Sequence, residues 1–119
     1  MEDMEEEEIM KETMKNIAKA EVLTLKEQIA YQDGQVVSKT LAQNNAVSVT
    51  LFSFDKNEEI SSHSAGGDAF VTCLDGTGRI TIDGQPHILH EGESIVMPAG
   101  HPHAVFGEER FKMLLVVVF

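Results

Sequence analysis

The sequence predicts an all-β domain of short antiparallel strands, preceded by a short helical segment. From about residue 22 onward, β-branched and other apolar residues recur in short runs, several of which alternate with polar residues. Glycine, asparagine, aspartate and proline interrupt these runs at short intervals, which is typical of a sandwich or a barrel rather than of alternating strands and helices. At 119 residues the chain has the size of a single domain with a real core.

The first 21 residues are predicted to form an acidic, partly helical segment, and residues 22–119 to form the β domain. Residues 1–12 hold seven acidic residues and one lysine, and like charges at this density are typical of a solvated tip. Within residues 9–21, apolar side chains recur at spacings of three and four without glycine or proline, namely Met10, Met14, Ile17 and Ala18. This spacing predicts a short amphipathic helix.

The strands are placed by their apolar runs and by the turn residues between them. Turns are expected at residues 43–45 and 55–58, and hairpins at Asp75-Gly76-Thr77-Gly78 and Asp83-Gly84. The strands are then residues 36–41, 46–54, 69–74, 79–82, 87–89, 94–97, 103–106 and 111–118. With an earlier strand near residues 22–25, the pattern gives about nine strands.

Composition and charge exclude several classes of function. The formal net charge is −11, and no basic stripe is present to neutralise phosphates, so we expect neither nucleic acid nor a membrane surface as a partner. The longest apolar run has seven residues, 113–119, far too short to span a bilayer. The N-terminus lacks a basic and apolar leader, and the single cysteine, Cys73, rules out an intramolecular disulfide. We therefore expect a cytoplasmic protein with Cys73 buried in a strand.

The last strand predicts self-association. Residues 113–119 are apolar without alternation, and such a strand is usually covered on both faces. The barrel interior covers one face, so the other needs the N-terminal segment or a second subunit. We expect a homodimer, with exchange of residues 22–25 or 36–41 as one way to cover the strand edge.

The most informative segment is Gly92-Glu-Ser-Ile-Val-Met-Pro-Ala-Gly-His-Pro-His, which ends at His103. It reads as a turn, a buried strand, a tight turn and a histidine that starts the next strand. This spacing resembles the second motif of the cupin family, and residues 60–76, with His63, resemble the first. The resemblance covers residues 35–119 and implies a small single-domain bacterial cupin of the RmlC-like superfamily. Its fold would be a double-stranded β-helix, a jelly-roll barrel with its site inside one open end.

The first motif departs from the family pattern. His63 and Gly76 fit it, but Ala65 and Ala69 stand where the resemblance implies a second histidine and a glutamate. The complete set, with His103, would suit Fe(II), Mn(II), Ni(II) or Zn(II). Two imidazoles alone bind a divalent ion weakly, because a well-populated site has at least three protein donors. His101, two residues before His103, is the candidate third donor, although a solvent-exposed loop position is the simpler interpretation.

Three hypotheses of function follow. In the first, a homodimeric cupin binds a small organic ligand in a pocket formed by His63, His103, Val71, Met97 and Phe106, with no certain cofactor. In the second, His63, His101 and His103 hold one divalent transition metal ion in a dioxygenase or an isomerase. In the third, a non-catalytic sensor or accessory protein acts through the acidic N-terminal segment. The sequence leaves open whether the protein is an enzyme.

Overall fold

The structure, a computed structural model, describes residues 13–119. The strands of this part of the chain are β1 (Val36–Gln43), β2 (Val47–Phe54), β3 (Glu59–His63), β4 (Asp68–Ile82), β5 (Gln85–His90), β6 (Ser94–Met97) and β7 (His103–Val118). The only helical element among these residues is a 3-10 turn at Leu25–Glu27. Residues 13–119 therefore contain no helix with the length and hydropathy that a membrane span requires. The predicted all-β class is confirmed.

Strands β4 and β7 form the centre of the architecture. They pair antiparallel with each other, from Asp68 opposite Val118 to Ile82 opposite His103. The C-terminal half of β7 also pairs with β2, which pairs with β1, and the N-terminal half of β4 pairs with β6. The other halves of β7 and β4 pair with β3 and β5. The two long strands thus belong to both sheets of a double-sheet jelly roll, as the resemblance implied.

One of the two predicted hairpins is wrong. Strand β4 runs straight through Asp75-Gly76-Thr77-Gly78, with irregularities in its pairing to β7 between Cys73 and Asp75 and between Gly76 and Gly78. Gly76 has a φ of 74°, and glycine in this conformation permits a β-bulge as readily as a turn. Strand β7 is also continuous where a break was predicted. The second signal, Asp83-Gly84, does form the turn between β4 and β5.

The main core lies between the two sheets and follows the alternation of the strands. On β4, Ala69, Val71 and Cys73 are all buried, whereas their neighbour Phe70 is 44% exposed. The largest fully buried side chains of this core are Phe54, Val71, Ile80, Phe111 and Met113. The rings of Phe54 and Phe111 lie with their centroids 5.5 Å apart.

The predicted N-terminal helix is wrong for residues 13–21, and its earlier part lies outside the described residues. Asn16 and Ala20 have φ values of 61° and 60°, in the left-handed region that a right-handed helix cannot contain. The backbone N–H of Lys15 donates instead to the carbonyl of Leu41 on β1, at 2.8 Å. Ile17 packs on a second apolar cluster that contains Leu41. The Ile17 side chain therefore packs on the sheet and does not belong to the apolar face of a helix.

The chain between residue 21 and the start of β1 contacts the outside of the barrel through Tyr31. Tyr31 donates a 2.6 Å hydrogen bond to a carboxylate oxygen of Asp75, and the ammonium group of Lys112 lies 4.7 Å from the centre of the Tyr31 ring. Burial and the nearby Asp75 both raise the pKa of Tyr31, so its hydroxyl stays a hydrogen-bond donor. The expected strand near residues 22–25 is absent from the described structure, and Val22 is fully exposed.

Candidate functional site

The two histidines singled out by the sequence come together at one end of the barrel. His63 is the last residue of β3 and His103 the first of β7, and the pairing of these strands places them opposite each other. Their ring centroids are 4.4 Å apart, with an edge-to-face angle of 68°. The turn after β6 delivers His103 to this position, with Gly100 at a φ of 76°. We call His63 and His103 the histidine pair.

The two members of the histidine pair have different surroundings. His103 is only 4% exposed and begins the inward series of β7 that continues with Val105. His63 is exposed, so the pair extends from the barrel interior to its surface. The expectation that both imidazoles lie inside the barrel holds for His103 alone.

Burial keeps the His103 imidazole neutral. It lowers the pKa of His103 below the usual 6.5, the nearby His63 lowers it further, and a hydrogen bond with the backbone of His101 acts in the opposite direction. The Nδ1 atom of His103 is buried and has no hydrogen-bond partner among residues 13–119. An unpaired polar atom of this kind is rare in folded proteins and needs an explanation.

A backbone contact determines which nitrogen of His63 carries the proton when the ring is neutral. Nδ1 lies 3.0 Å from the carbonyl oxygen of Ser61. A carbonyl can only accept, so Nδ1 is the donor and Nε2 of the neutral ring has a free lone pair. The histidine pair therefore offers one bare acceptor and one buried, unpaired nitrogen.

This arrangement predicts a pH-dependent stability. Because the pKa of His103 is lower in the folded state than in the unfolded state, the unfolded chain binds more protons as the pH falls below about 6.5, and the stability decreases until the folded-state pKa is reached. We expect the urea midpoint of unfolding to fall between pH 7.5 and pH 5.5, and to fall less in His103→Gln. Equal decreases in both proteins would show that His103 is not responsible.

The structure places only some of the predicted pocket residues on the inner face of the barrel. Met97 lies opposite Ala69 in the β4–β6 pairing, and Met97 and Val71 are buried in the main core. Phe106 lies on the other face of β7, because the buried positions of this strand begin with His103 and Val105. The guanidinium of Arg79 stacks 4.3 Å from the centre of the Phe106 ring. Phe106 is therefore corrected from a pocket residue to one of the outer face.

The side chains present do not fit a metal ion. His101, the candidate third donor, directs Nδ1 to a carboxylate oxygen of Asp83 at 2.6 Å. Positions 65 and 69 are alanines without donor atoms. No group of three histidine, cysteine, aspartate or glutamate side chains in the described part of the chain could hold a metal ion. The histidine pair supplies two donors, fewer than the three that a well-populated site requires.

Two features near the site had no signal in the sequence. The contact between His101 and Asp83 joins two turns that are 18 residues apart, and the ion pair of Arg79 with Glu108, at 2.6 Å, joins β4 to β7. Neither follows a local spacing rule, so only the pairing of the strands could reveal them. His87 and His90, on β5, are both exposed.

Comparisons with known proteins agree with this architecture. Residues 50–119 match the Cupin domain family model. A conserved protein of unknown function from Streptococcus pyogenes is 46% identical, over 92% of this chain and 96% of that chain, with a TM-score of 0.89. A cupin superfamily protein from Desulfitobacterium hafniense is 35% identical, over 89% and 97%, with a TM-score of 0.85. No curated protein matches the chain significantly. The chain belongs to the cupin family.

Proposed function

We propose that this cupin binds a small organic molecule at the histidine pair, with the imidazoles as polar anchors and without a metal ion held by its side chains. The observation that carries the proposal is the buried Nδ1 of His103, which has no partner among the described residues. Leaving such an atom unpaired costs about 1–3 kcal/mol. A ligand that bonds to it recovers this energy, and the neighbouring His63 is exposed and open to the ligand.

The same arrangement suits acid–base chemistry as well as plain binding. A neutral imidazole accepts a proton at its free nitrogen, and His103 is held neutral by its surroundings. A small-molecule site usually combines apolar side chains with a few polar groups, and the inner face of the sheet is apolar, with Val71 and Met97 buried in the main core.

The alternative function is a metal-dependent dioxygenase or isomerase that uses His63, His101 and His103. It requires His101 to leave its 2.6 Å contact with Asp83 and to join the histidine pair. No observation on the described residues favours that rearrangement. Metal analysis of protein purified without added metal separates the two proposals, because only the alternative expects a bound ion in every chain.

The proposed function is tested by ligand-induced thermal stabilisation. A library of small alcohols, sugars, amines and organic acids is screened against the natural protein, His63→Phe, His103→Phe and His87→Phe. The last variant alters an exposed histidine outside the pair and is the matched control. We expect at least one class to raise the Tm of the natural protein and of the control, with no response in the two pair variants. Equal responses in all four proteins, or none in any, would contradict the proposal.

A cytoplasmic location is the second part of the proposal. Cys73 is the single cysteine of the chain and a buried free thiol, so the fold does not depend on an oxidising compartment. Burial raises the pKa of Cys73 to about 11, and a thiol of this kind is unreactive. This supports the predicted structural role of Cys73.

We also propose that the barrel forms a homodimer through the outer face of the sheet made by β1, β2, β6 and the halves of β4 and β7 that pair with them. On this face Phe70 lies between Val96 of β6 and Val116 of β7, and Phe70 and Val96 are 44% and 48% exposed. Ile17 and Ile29, which both precede β1, pack on a neighbouring part of the same face, beside Leu114. An apolar row across three strands that exposes Phe70 and Val96 is typical of an interaction surface, and a two-fold axis would cover both copies at once.

The dimer is tested by light scattering at micromolar concentration. We expect a dimer mass for the natural protein and a monomer mass for Phe70→Glu, because a carboxylate in the centre of the row would be desolvated without a partner. Ile88→Glu, at an exposed apolar position on β5, outside that sheet, is the control and should stay dimeric. A monomeric natural protein would refute the proposal.

A further inference from the structure

The cations of the strand-forming part of the chain are all engaged with other groups. Residues 36–119 contain five lysines and arginines. Their partners are the carbonyl of Gln28 for Lys39, Glu109 for Lys56, Glu108 for Arg79, Asp33 and Asp55 for Arg110, and the carbonyl of Lys26 for Lys112. None of these partners belongs to the histidine pair or to the turn that precedes His103.

The charged groups that make contacts around that turn are acidic. Asp83 holds His101 at 2.6 Å, and the carboxylate of Asp68 accepts the backbone N–H of Ala99 at 2.9 Å. Residues 13–119 as a whole carry a formal charge of −5, the remainder of −11 after the acidic first twelve residues. An anion that approaches the histidine pair therefore meets these carboxylates, and the cations of residues 36–119 are already engaged with other groups.

The hydrogen-bonding groups of the pair also select the chemistry of the ligand. His63 donates Nδ1–H to Ser61, which leaves Nε2 without a bond to any described residue and able only to accept when the ring is neutral. A carboxylate is also only an acceptor, so it makes no hydrogen bond to Nε2 while the ring is neutral. A hydroxyl group donates and accepts, and it can bond to Nε2 of His63 as well as to the unpaired Nδ1 of His103 in either protonation form.

We infer that the ligand of the histidine pair is an uncharged molecule with hydroxyl groups, such as a diol or a neutral sugar, and not a carboxylate or a phosphate. This inference rests on the proposed function and adds the chemical class of the ligand. One hydroxyl donates to Nε2 of His63, and a second is the partner of Nδ1 of His103.

The test compares matched neutral and anionic probes. 1,2-Propanediol and lactate share a three-carbon skeleton and a secondary hydroxyl, and glucose and glucuronate share a sugar ring. Each is titrated at pH 8 into protein with ¹⁵N-labelled histidine, and the imidazole nitrogens are followed by NMR. We expect the neutral member of at least one pair to shift Nε2 of His63 and Nδ1 of His103 saturably, and its anion to bind about tenfold more weakly or not at all.

The outcomes separate the inference from the proposed function. His63→Phe should abolish the response, and His87→Phe should retain it. Should lactate or glucuronate bind as tightly as its neutral partner, the inference fails while ligand binding at the pair stands. Should none of the four probes shift either imidazole, both the inference and the proposed function are contradicted. Nitrogen shifts that assign the His63 proton to Nε2 would also overturn the inference, because the free acceptor would then be absent.

Discussion

Replacement of Gly76 by alanine is expected to lower the free energy of unfolding by about 3 kcal/mol or more. Gly76 lies in the bulge of β4 with a φ of 74°, and a left-handed conformation costs an L-residue about 1–2 kcal/mol. In addition, an added Cβ would overlap the backbone carbonyl of Arg110 on β7. That oxygen belongs to the central strand pair and cannot move aside as a side chain can.

Gly84→Ala is the matched control for this prediction. Gly84 has a φ of 79°, but nothing lies within 4 Å of the point that an added Cβ would occupy, so the substitution there carries only the conformational cost, about 1 kcal/mol. Urea denaturation of both variants isolates the cost of the close approach to Arg110. If Gly76→Ala does not fold, Gly78→Ala replaces it, because its Cβ meets the side chain of Phe111 and not the backbone. Equal losses for Gly76→Ala and Gly84→Ala would refute the steric argument.

The same glycine shows why the strand pattern was predictable and the number of strands was not. Alternation and turn residues place the strands because they are local properties of the chain. Asp75-Gly76-Thr77-Gly78 satisfies the rules for a hairpin, but its glycines serve a bulge and a close approach to β7. A hairpin turn and a bulge both favour a residue that adopts a positive φ. The residue types alone therefore do not distinguish a hairpin from a bulge.

The N-terminal segment shows a second limit of local reasoning. The spacing of Met14, Ile17 and Ala18 fits a helical face, but the segment that carries Ile17 is not helical. Ile17 contacts the outer face of the sheet instead. Only the sheet surface around Leu41 and Leu51, formed by distant residues, makes this arrangement favourable. Tertiary contacts then outweigh helical spacing over so few residues.

At the candidate site, the resemblance to the two cupin motifs implied that His63 and His103 lie together, and the pairing of β3 with β7 places them opposite each other. Side chains along a strand alternate between its two faces, and counting from His103 in this way places Phe106 on the outer face. The sequence therefore already contained evidence that Phe106 does not line the pocket. The contact of His101 with Asp83 was not predictable, because it depends on how two turns meet in space.

Restoring the missing donors is expected to turn the histidine pair into a metal site. Ala69 is 1% exposed and lies on the inner face of β4, opposite Met97. Position 65 follows β3, where the Ala65 carbonyl accepts the N–H of Gly100 at 2.9 Å. With Ala65→His and Ala69→Glu, the family pattern supplies four donors in place of two. We expect the affinity for Ni(II) or Zn(II) to rise by about 100-fold or more.

The stability of this double variant gives an independent measurement. A glutamate at position 69 would be buried, and a buried carboxylate without a partner is strongly unfavourable. The variant should therefore have a lower Tm than the natural protein in a chelator and should recover it when Ni(II) is added, because binding to the folded state alone stabilises that state. Ala65→His with Ala69→Gln is the matched control, since glutamine keeps the shape but removes the charge, and it should respond only weakly. If the natural protein already holds one metal ion per chain and the double substitution changes neither the affinity nor the metal-dependent Tm, the loss of metal ligands in this cupin is wrongly inferred.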